Sequence, residues 1–97
     1  MGARVMSTEI VKRSKPDAQL LERLGVFGWP IWTKEASTFP WSYDSEETCF
    51  VLEGDVIVTP VGGAPLHIVA GDLVTFPAGM NCTWEIRQAV RKHYKFA

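Results

Sequence analysis

The chain has 97 residues, 46% of them apolar and 22% charged, a balance typical of one small globular domain and not of a disordered or collagen-like chain. Ten basic and eleven acidic side chains leave a formal net charge of −1, without the basic run that nucleic-acid binding requires. Residues 1–15 lack the apolar core of an export signal, and no window reaches membrane-spanning length. We therefore predict a cytoplasmic protein without nucleic-acid or membrane partners, with Cys49 and Cys82 as reduced thiols.

The N-terminal part, residues 1–28, is predicted to hold a short strand and a helix. Residues 8–13 are mildly β-prone, and residues 14–25 carry the signals of a helix. Asp17 favours the positive end of that helix, and Gly25 provides a left-handed stop. The helix has an apolar stripe that is predicted to pack on the core, formed by Leu20, Leu21 and Leu24.

After Gly25 the pattern changes to short β segments separated by turn residues, one of them Glu53-Gly54-Asp55. Many short strands at regular spacing indicate an all-β sandwich or barrel. With no long linker or internal repeat, we predict a single domain over residues 1–97 whose barrel covers residues 29–97. The predicted strands are Gly28–Thr33, Ser37–Tyr43, Glu47–Glu53, Val56–Val61, Leu66–Val69, Leu73–Phe76, Cys82–Arg87 and Val90–Phe96.

Strand alternation places one acid and one base on faces that are otherwise largely apolar, because residues two apart share a face. Glu47 shares its face with Cys49 and Val51, and Lys92 lies on an otherwise apolar face of its own strand. An unpaired charge inside a barrel is costly, so we predict that Glu47 and Lys92 meet across the interior. The same rule groups Phe39 with Trp41 and Tyr43, Cys82 with Trp84 and Ile86, and Val90 with Lys92, Tyr94 and Phe96.

The predicted site is a small polar centre with aromatic walls. Glu47 and Lys92 are its candidate acid and base, and the candidate ligand-binding residues are Trp41, Tyr43, Cys82, Trp84 and Ile86. The alternative is a packed interior in which one buried ion pair fixes the strand register. Cys82 is either a reactive thiol or a small apolar filler.

Two spaced motifs resemble those of the cupin superfamily. Glu47, six residues and Gly54 match the end of the first cupin motif; Gly71, five residues, Pro77, one residue and Gly79 match the start of the second. Residues 47–54, 71–84 and 90–94 further resemble the small ureidoglycine aminohydrolase-like cupins. The resemblance implies a double-stranded β-helix, often paired as a dimer, and amidohydrolase chemistry on a ureido compound at a metal centre.

The sequence departs from the metal-binding cupin pattern, which has two histidines before the glutamate and a third after the Pro-x-Gly element. Their positions are held by Trp41 and Tyr43, or Pro40 and Ser42 at the longer spacing, and by Cys82. Only Glu47 of the four expected ligands is retained, so we predict no metal cofactor. The alternative is a divalent metal on Glu47 and Cys82, which would need a third ligand from Tyr43 or Cys49.

Four more side chains lie outside this site. His67 and His93 are predicted at the surface, the latter opposite Lys92 in its strand. Trp29 and Trp32 have opposite parity, so they cannot both point into the barrel. One is predicted to cover the helix and the other a partner chain, which makes a homodimer a further prediction.

These observations predict a small cupin whose pocket around Glu47 binds a small polar metabolite without a histidine-rich metal site. One alternative is an enzyme, amidohydrolase-like or other, that uses a metal at Glu47 and Cys82 or the Glu47–Lys92 acid–base pair. The second alternative is a structural or interaction role with a filled barrel.

Overall fold

The computed structural model describes residues 9–97, so the first residue of the β-prone 8–13 segment lies outside the described part. The all-β prediction is confirmed, because the described chain is dominated by antiparallel strands. No helix in residues 9–97 is long and apolar enough to cross a membrane. In chain order the elements are β1 (Val11–Ser14), α1 (Ala18–Leu24), a 3-10 turn (Val26–Gly28), β2 (Ile31–Lys34), β3 (Ser37–Ser42), β4 (Glu47–Pro60), β5 (Leu66–Val69), β6 (Asp72–Phe76) and β7 (Asn81–Phe96).

Two long strands, β4 and β7, form the centre of the sheet. The strand order is β1-β6-β4-β7-β2, with β3 also paired to β7 and β5 also paired to β4. The first part of β4 pairs with β6 and its second part pairs with β5, while β7 runs beside both parts. Each of the two long strands was expected as two separate strands, and that prediction was wrong.

The expected turn at Glu53-Gly54-Asp55 is a bend inside β4. The register against β7 shifts between Val51 and Val56, which is how one strand changes partners without ending. Gly54 has φ 128°, and a Cβ atom there would lie 2.9 Å from the Val90 Cα atom. Only glycine fits this bend.

The helix is shorter than expected, spanning Ala18–Leu24. Asp17 is its N-cap and accepts a hydrogen bond from the Leu20 backbone N–H at 2.8 Å, and Gly25 ends it in the left-handed conformation with φ 74°. Leu21 is buried but Leu24 is exposed. The predicted apolar stripe is therefore only partly used for core packing.

The core has two parts, on opposite faces of β4. Cys49 and Val51 belong to the larger cluster, whereas Phe50 packs against the smaller one beneath the helix. Both faces of this part of β4 thus pack against apolar side chains. The smaller cluster is built from Leu21, Val26 and Leu73, with Leu20, Trp29 and Phe50 packed against it.

The two N-terminal tryptophans pack against different core clusters. Trp29 packs against the cluster beneath the helix, as predicted. Trp32 is partly buried against the larger core, with its ring edge-on to Trp84 at 6.1 Å. Contact of one tryptophan with a partner chain stays a prediction, and so does the homodimer.

Candidate ligand-binding site

A buried ion pair joins the two central strands. The Lys92 Nζ atom donates a hydrogen bond to Glu47 Oε2 at 2.6 Å. The side chains are only 6% and 4% exposed, respectively. In the β4–β7 register Glu47 lies opposite Phe96 and Lys92 opposite Val51, so the long lysine side chain runs along the shared face to reach the carboxylate. The contact predicted from strand alternation is present.

The Lys92 ammonium group also lies against two indole rings. Its Nζ atom is 4.7 Å from the Trp84 ring centroid and 4.9 Å from that of Trp32. Trp32 reaches this position because β2 pairs it directly opposite Lys92. A desolvated cation over an indole face gains about 2 kcal/mol or more. Aromatic faces thus supply part of the stabilisation that water gives an exposed ammonium.

A tyrosine hydroxyl adds a third polar group. The Trp84 Nε1 atom donates to the Tyr43 hydroxyl oxygen at 3.1 Å, and the Tyr43 ring stacks on Phe76 with centroids 4.9 Å apart. Burial raises the pKa of Tyr43 far above its ordinary value, and the Glu47 carboxylate raises this pKa further. The phenol therefore stays protonated, and its O–H remains a neutral hydrogen-bonding group.

These groups line a cavity of about 190 Å³. Its inner end is buried at Glu47, Lys92 and Tyr43, and its two most exposed lining residues, Trp41 at 42% and Phe96 at 48%, mark the mouth. The cavity is polar at one end and aromatic elsewhere. Within residues 9–97 the cavity is lined by Trp32, Phe39, Trp41, Tyr43, Glu47, Trp84, Lys92, Tyr94 and Phe96.

Two residues proposed from the sequence for this pocket, Cys82 and Ile86, are not among those that line it. Both are buried in the larger core cluster, and Ile86 lies opposite Val56 beyond the bend in β4. Alternation predicts which face of the sheet a side chain is on, but not whether its position along the strand lies beside the cavity. The other proposed residues do line the cavity: Trp41, Tyr43, Glu47, Trp84 and Lys92.

Sequence reasoning left four lining residues out of the site. Phe39 shares a strand face with Trp41, and Tyr94 and Phe96 share one with Lys92, so alternation already contained the signal for these three. Trp32 faces the cavity because of its pairing with Lys92 across β2 and β7. That pairing is a long-range register which the local pattern does not encode.

The two thiols are buried in the core and form no disulfide. Burial raises the pKa of Cys49 to about 11 and raises the pKa of Cys82 as well, with the Trp84 indole opposing part of the latter shift. The Cys82 Sγ atom lies 3.6 Å from the Trp41 carbonyl oxygen, to which it donates. Since the thiolate is the nucleophile and the metal ligand, neither side chain is prepared for those roles at neutral pH.

Both histidines are engaged elsewhere. His67 is exposed, as predicted, and its Nε2 atom lies 2.7 Å from Asp55 Oδ1. His93 was expected at the surface, but it is buried: its Nδ1 atom is 2.9 Å from the Trp29 carbonyl oxygen, and the Phe27 ring packs edge-on at 5.6 Å. The expectation failed because the 3-10 turn covers this outer face of β7.

The residues present do not fit a resident divalent metal. The Glu47 carboxylate already holds the Lys92 ammonium group at 2.6 Å, and burial raises the pKa of both candidate thiols, which opposes the thiolate form that a metal binds. Across residues 9–97, no three His, Cys, Asp or Glu side chains are grouped so that they could hold a metal ion. A catalytic zinc site needs about three protein ligands.

Comparison with known proteins identifies the family of this chain. The model of the EutQ-like cupin domain matches residues 21–94. A DUF861-family protein from Thermotoga maritima is 48% identical in its crystal structure, with a TM-score of 0.89 over 92% of this chain and 100% of that one.

More distant structures share part of the chain. A putative ethanolamine utilization protein Q from Salmonella typhimurium is 28% identical, with a TM-score of 0.60 over 66% of this chain and 51% of that one. The EutQ protein from Clostridium difficile, at 20% identity and the same TM-score, shows the fold alone. A search of curated proteins finds no match. The cupin fold predicted from the two motifs is confirmed, and the chain belongs to the EutQ-like cupin family.

Proposed function

We propose that this chain binds a small polar metabolite in the aromatic cavity, on the Glu47–Lys92 pair and without a metal ion. One observation carries the proposal: a buried ion pair with a 2.6 Å contact lies at the inner end of a cavity whose other walls are aromatic. A largely apolar pocket with a few convergent polar groups is the usual form of a small-molecule site.

The size and charge of the cavity narrow the ligand class. Its volume of about 190 Å³ is below the roughly 300–1,000 Å³ of pockets for drug-sized ligands. The Glu47–Lys92 pair has no net charge, but it offers a ligand a hydrogen-bond acceptor, the carboxylate, beside a donor, the ammonium group. An amide or ureido group has the complementary pair, because its carbonyl accepts from Lys92 while its N–H donates to Glu47. Such planar groups also stack on aromatic walls.

The ureido class is also what the resemblance to ureidoglycine aminohydrolase-like cupins implies. We extend only the ligand class to this chain. The metal chemistry of that group requires three histidines, whose positions are held here by Trp41 and Tyr43, or Pro40 and Ser42 at the longer spacing, and by Cys82. A structural role with a filled barrel is less favoured, since the interior holds a cavity.

A thermal-shift screen of uncharged amides and ureido compounds tests the proposal. A ligand that binds only the folded chain at 100 times its Kd stabilises it by about 2.7 kcal/mol. Ethanolamine, suggested by the name of the Salmonella relative, belongs in the screen as a charged comparison. We expect it to shift the melting temperature less, because its ammonium group would lie beside Lys92.

A matched pair of variants locates the binding. Trp41→Ala removes an exposed ring at the cavity mouth, whereas Phe27→Ala removes an exposed ring, 60% accessible, that does not line the cavity. We expect the ligand shift to be lost in the first variant and kept in the second. No shift with any compound, or equal shifts in both variants, would contradict the proposal.

A second candidate function is acid–base catalysis by the same pair. The observation that favours it is the direct 2.6 Å hydrogen bond, along which a proton can pass between ammonium and carboxylate. Turnover of a bound amide or ureido compound, lost in Glu47→Gln while binding persists, would distinguish this function from binding alone.

A further inference from the structure

We propose that Lys92 is a carbonyl-reactive amine, which forms a reversible imine with a small uncharged aldehyde or ketone in the cavity. This inference goes beyond non-covalent binding, since it assigns a covalent bond to a named atom, Lys92 Nζ. Lys92 carries the one amine among the nine lining residues. Its surroundings combine what such a reaction needs: a desolvated amine, an adjacent proton acceptor and space for a second reactant.

The surroundings of Nζ support this reactivity. The atom lies between the rings of Trp32 and Trp84 and has a hydrogen bond to Glu47. Lysines desolvated in hydrophobic pockets are the ones that proteins use as Schiff-base nucleophiles. The Glu47 carboxylate, 2.6 Å from Nζ, is the acceptor to which the Lys92 ammonium group can pass a proton when a carbonyl compound enters the cavity.

The reaction balances with Glu47 as the proton carrier. Glu47 takes a proton from the Lys92 ammonium group, and the nitrogen lone pair forms a bond to the carbonyl carbon while the π electrons move to the oxygen. Glu47 gives its proton to that oxygen and recovers one from nitrogen, which leaves a neutral carbinolamine. It then protonates the hydroxyl group, which departs as water, and the nitrogen lone pair forms the C=N bond. The product is a protonated imine beside the Glu47 carboxylate, and hydrolysis is the reverse.

The same surroundings that hold the ammonium ion would hold this product. A protonated imine is also a cation, so the carboxylate and the two indole faces stabilise it in the position of the original charge. The ring faces are negative, and in the described part of the chain no second cation lines the cavity, which disfavours anionic carbonyl compounds such as 2-oxo acids. A volume of about 190 Å³ corresponds to roughly six water molecules in the liquid, enough for an aldehyde of a few carbon atoms.

Trapping with cyanoborohydride tests the inference. The folded protein is incubated at neutral pH with limiting propionaldehyde and reductant, and alkylation of each lysine is followed by peptide mass spectrometry. Lys95, exposed on the same strand, is the internal reference. We expect Lys92 to be alkylated at least about tenfold faster than Lys95. A buried lysine with only a structural role would react more slowly than Lys95, and that result would overturn the inference.

Two comparisons make the result specific. Glu47→Gln retains the size of the side chain but not the proton acceptor, so alkylation of Lys92 should fall while that of Lys95 is unchanged. Pyruvate, a charged carbonyl compound of similar size, should label Lys92 poorly in the wild-type chain. If Glu47→Gln does not fold, the ratio of Lys92 to Lys95 in the wild-type protein decides alone. The thermal-shift screen uses no reductant and no aldehyde, so failure of the imine leaves the proposed binding function standing, and the reverse also holds.

Discussion

Two close contacts between an acidic and a basic side chain involve the same strand, β4, and they have nearly the same length. Glu47, at the start of β4, contacts Lys92 at 2.6 Å, and Asp55, just after the Gly54 bend, contacts His67 at 2.7 Å. The first pair is 4% and 6% exposed, whereas the second is 27% exposed at the aspartate and 56% at the histidine. Distance alone would rank them as equals.

The difference lies in what surrounds each pair. Water screens the exposed pair, whose contribution to stability is at most about 1 kcal/mol. The buried pair has lost its water, and its charges depend on each other and on the rings of Trp32 and Trp84. Burying both charges costs desolvation free energy, and both side chains border the cavity. We therefore connect the buried pair with function.

The largest expected effect comes from breaking the buried pair. Glu47→Ala leaves the Lys92 ammonium without its carboxylate, and removing one partner of a buried pair costs about 3–5 kcal/mol. For a domain of this size each kcal/mol lowers the melting temperature by about 4–8 °C. Urea unfolding of the variant and the wild type measures the change.

The control for this prediction removes both charges. The double variant Glu47→Gln/Lys92→Met keeps similar side-chain volumes and has no charge at either position of the pair, so its unfolding free energy should lie much closer to that of the wild type. A double variant as unstable as Glu47→Ala would show that packing, not charge pairing, dominates at this site.

The next largest effect is a loss of folding stability at alkaline pH, caused by the buried Cys49 thiol. The Cys49 thiol lies within the influence of Lys92 and Glu47, and burial raises its pKa from 9.0 to about 11. Because the folded chain holds the thiol proton more tightly than the unfolded chain, the contribution is complete below about pH 9 and is lost as the pH rises to about 11. The loss is on the order of 3 kcal/mol.

The Cys49→Ala variant isolates this term from other groups that titrate in alkali. Its unfolding free energy should fall less steeply than that of the wild type between pH 9 and 11. Parallel pH profiles for the two proteins would refute the assignment.

The smallest effect should come from the exposed pair. Asp55→Asn removes the charge that faces His67, and the unfolding free energy should change by less than about 1 kcal/mol. Any change should shrink further with added salt, because exposed charges are screened. An effect as large as that of Glu47→Ala would break the comparison between the two pairs.

Local patterns predicted much of the fold. The strand segments, the helix stop at Gly25 and the cupin spacing from Glu47 to Gly79 were all visible in the sequence. The failures were at long range. Glu53-Gly54-Asp55 has turn composition, but β7 runs on beside it, and the pairing of distant strands overrides a local turn signal. Burial of His93 likewise depends on the 3-10 turn that covers it.

The site was predicted in part for the same reason. Strand alternation predicted the contact between Glu47 and Lys92, because each charge lay on an apolar face and an unpaired buried charge is costly. Alternation correctly predicted that Cys82 and Ile86 face the interior, but they pack in the core instead of lining the cavity. Trp32 was missed because its position follows from pairing with β7, which only the assembled sheet defines.

The most direct measurement of the central claim is the ligand response of the Glu47→Gln/Lys92→Met variant. This variant retains the aromatic walls and leaves neither charge of the pair without its partner, so it should fold. If the metabolite is held by the ion pair, a compound that raises the melting temperature of the wild type should leave that of the variant unchanged. An equal rise in both proteins would contradict the claim, because the ligand would then be recognised without Glu47 and Lys92.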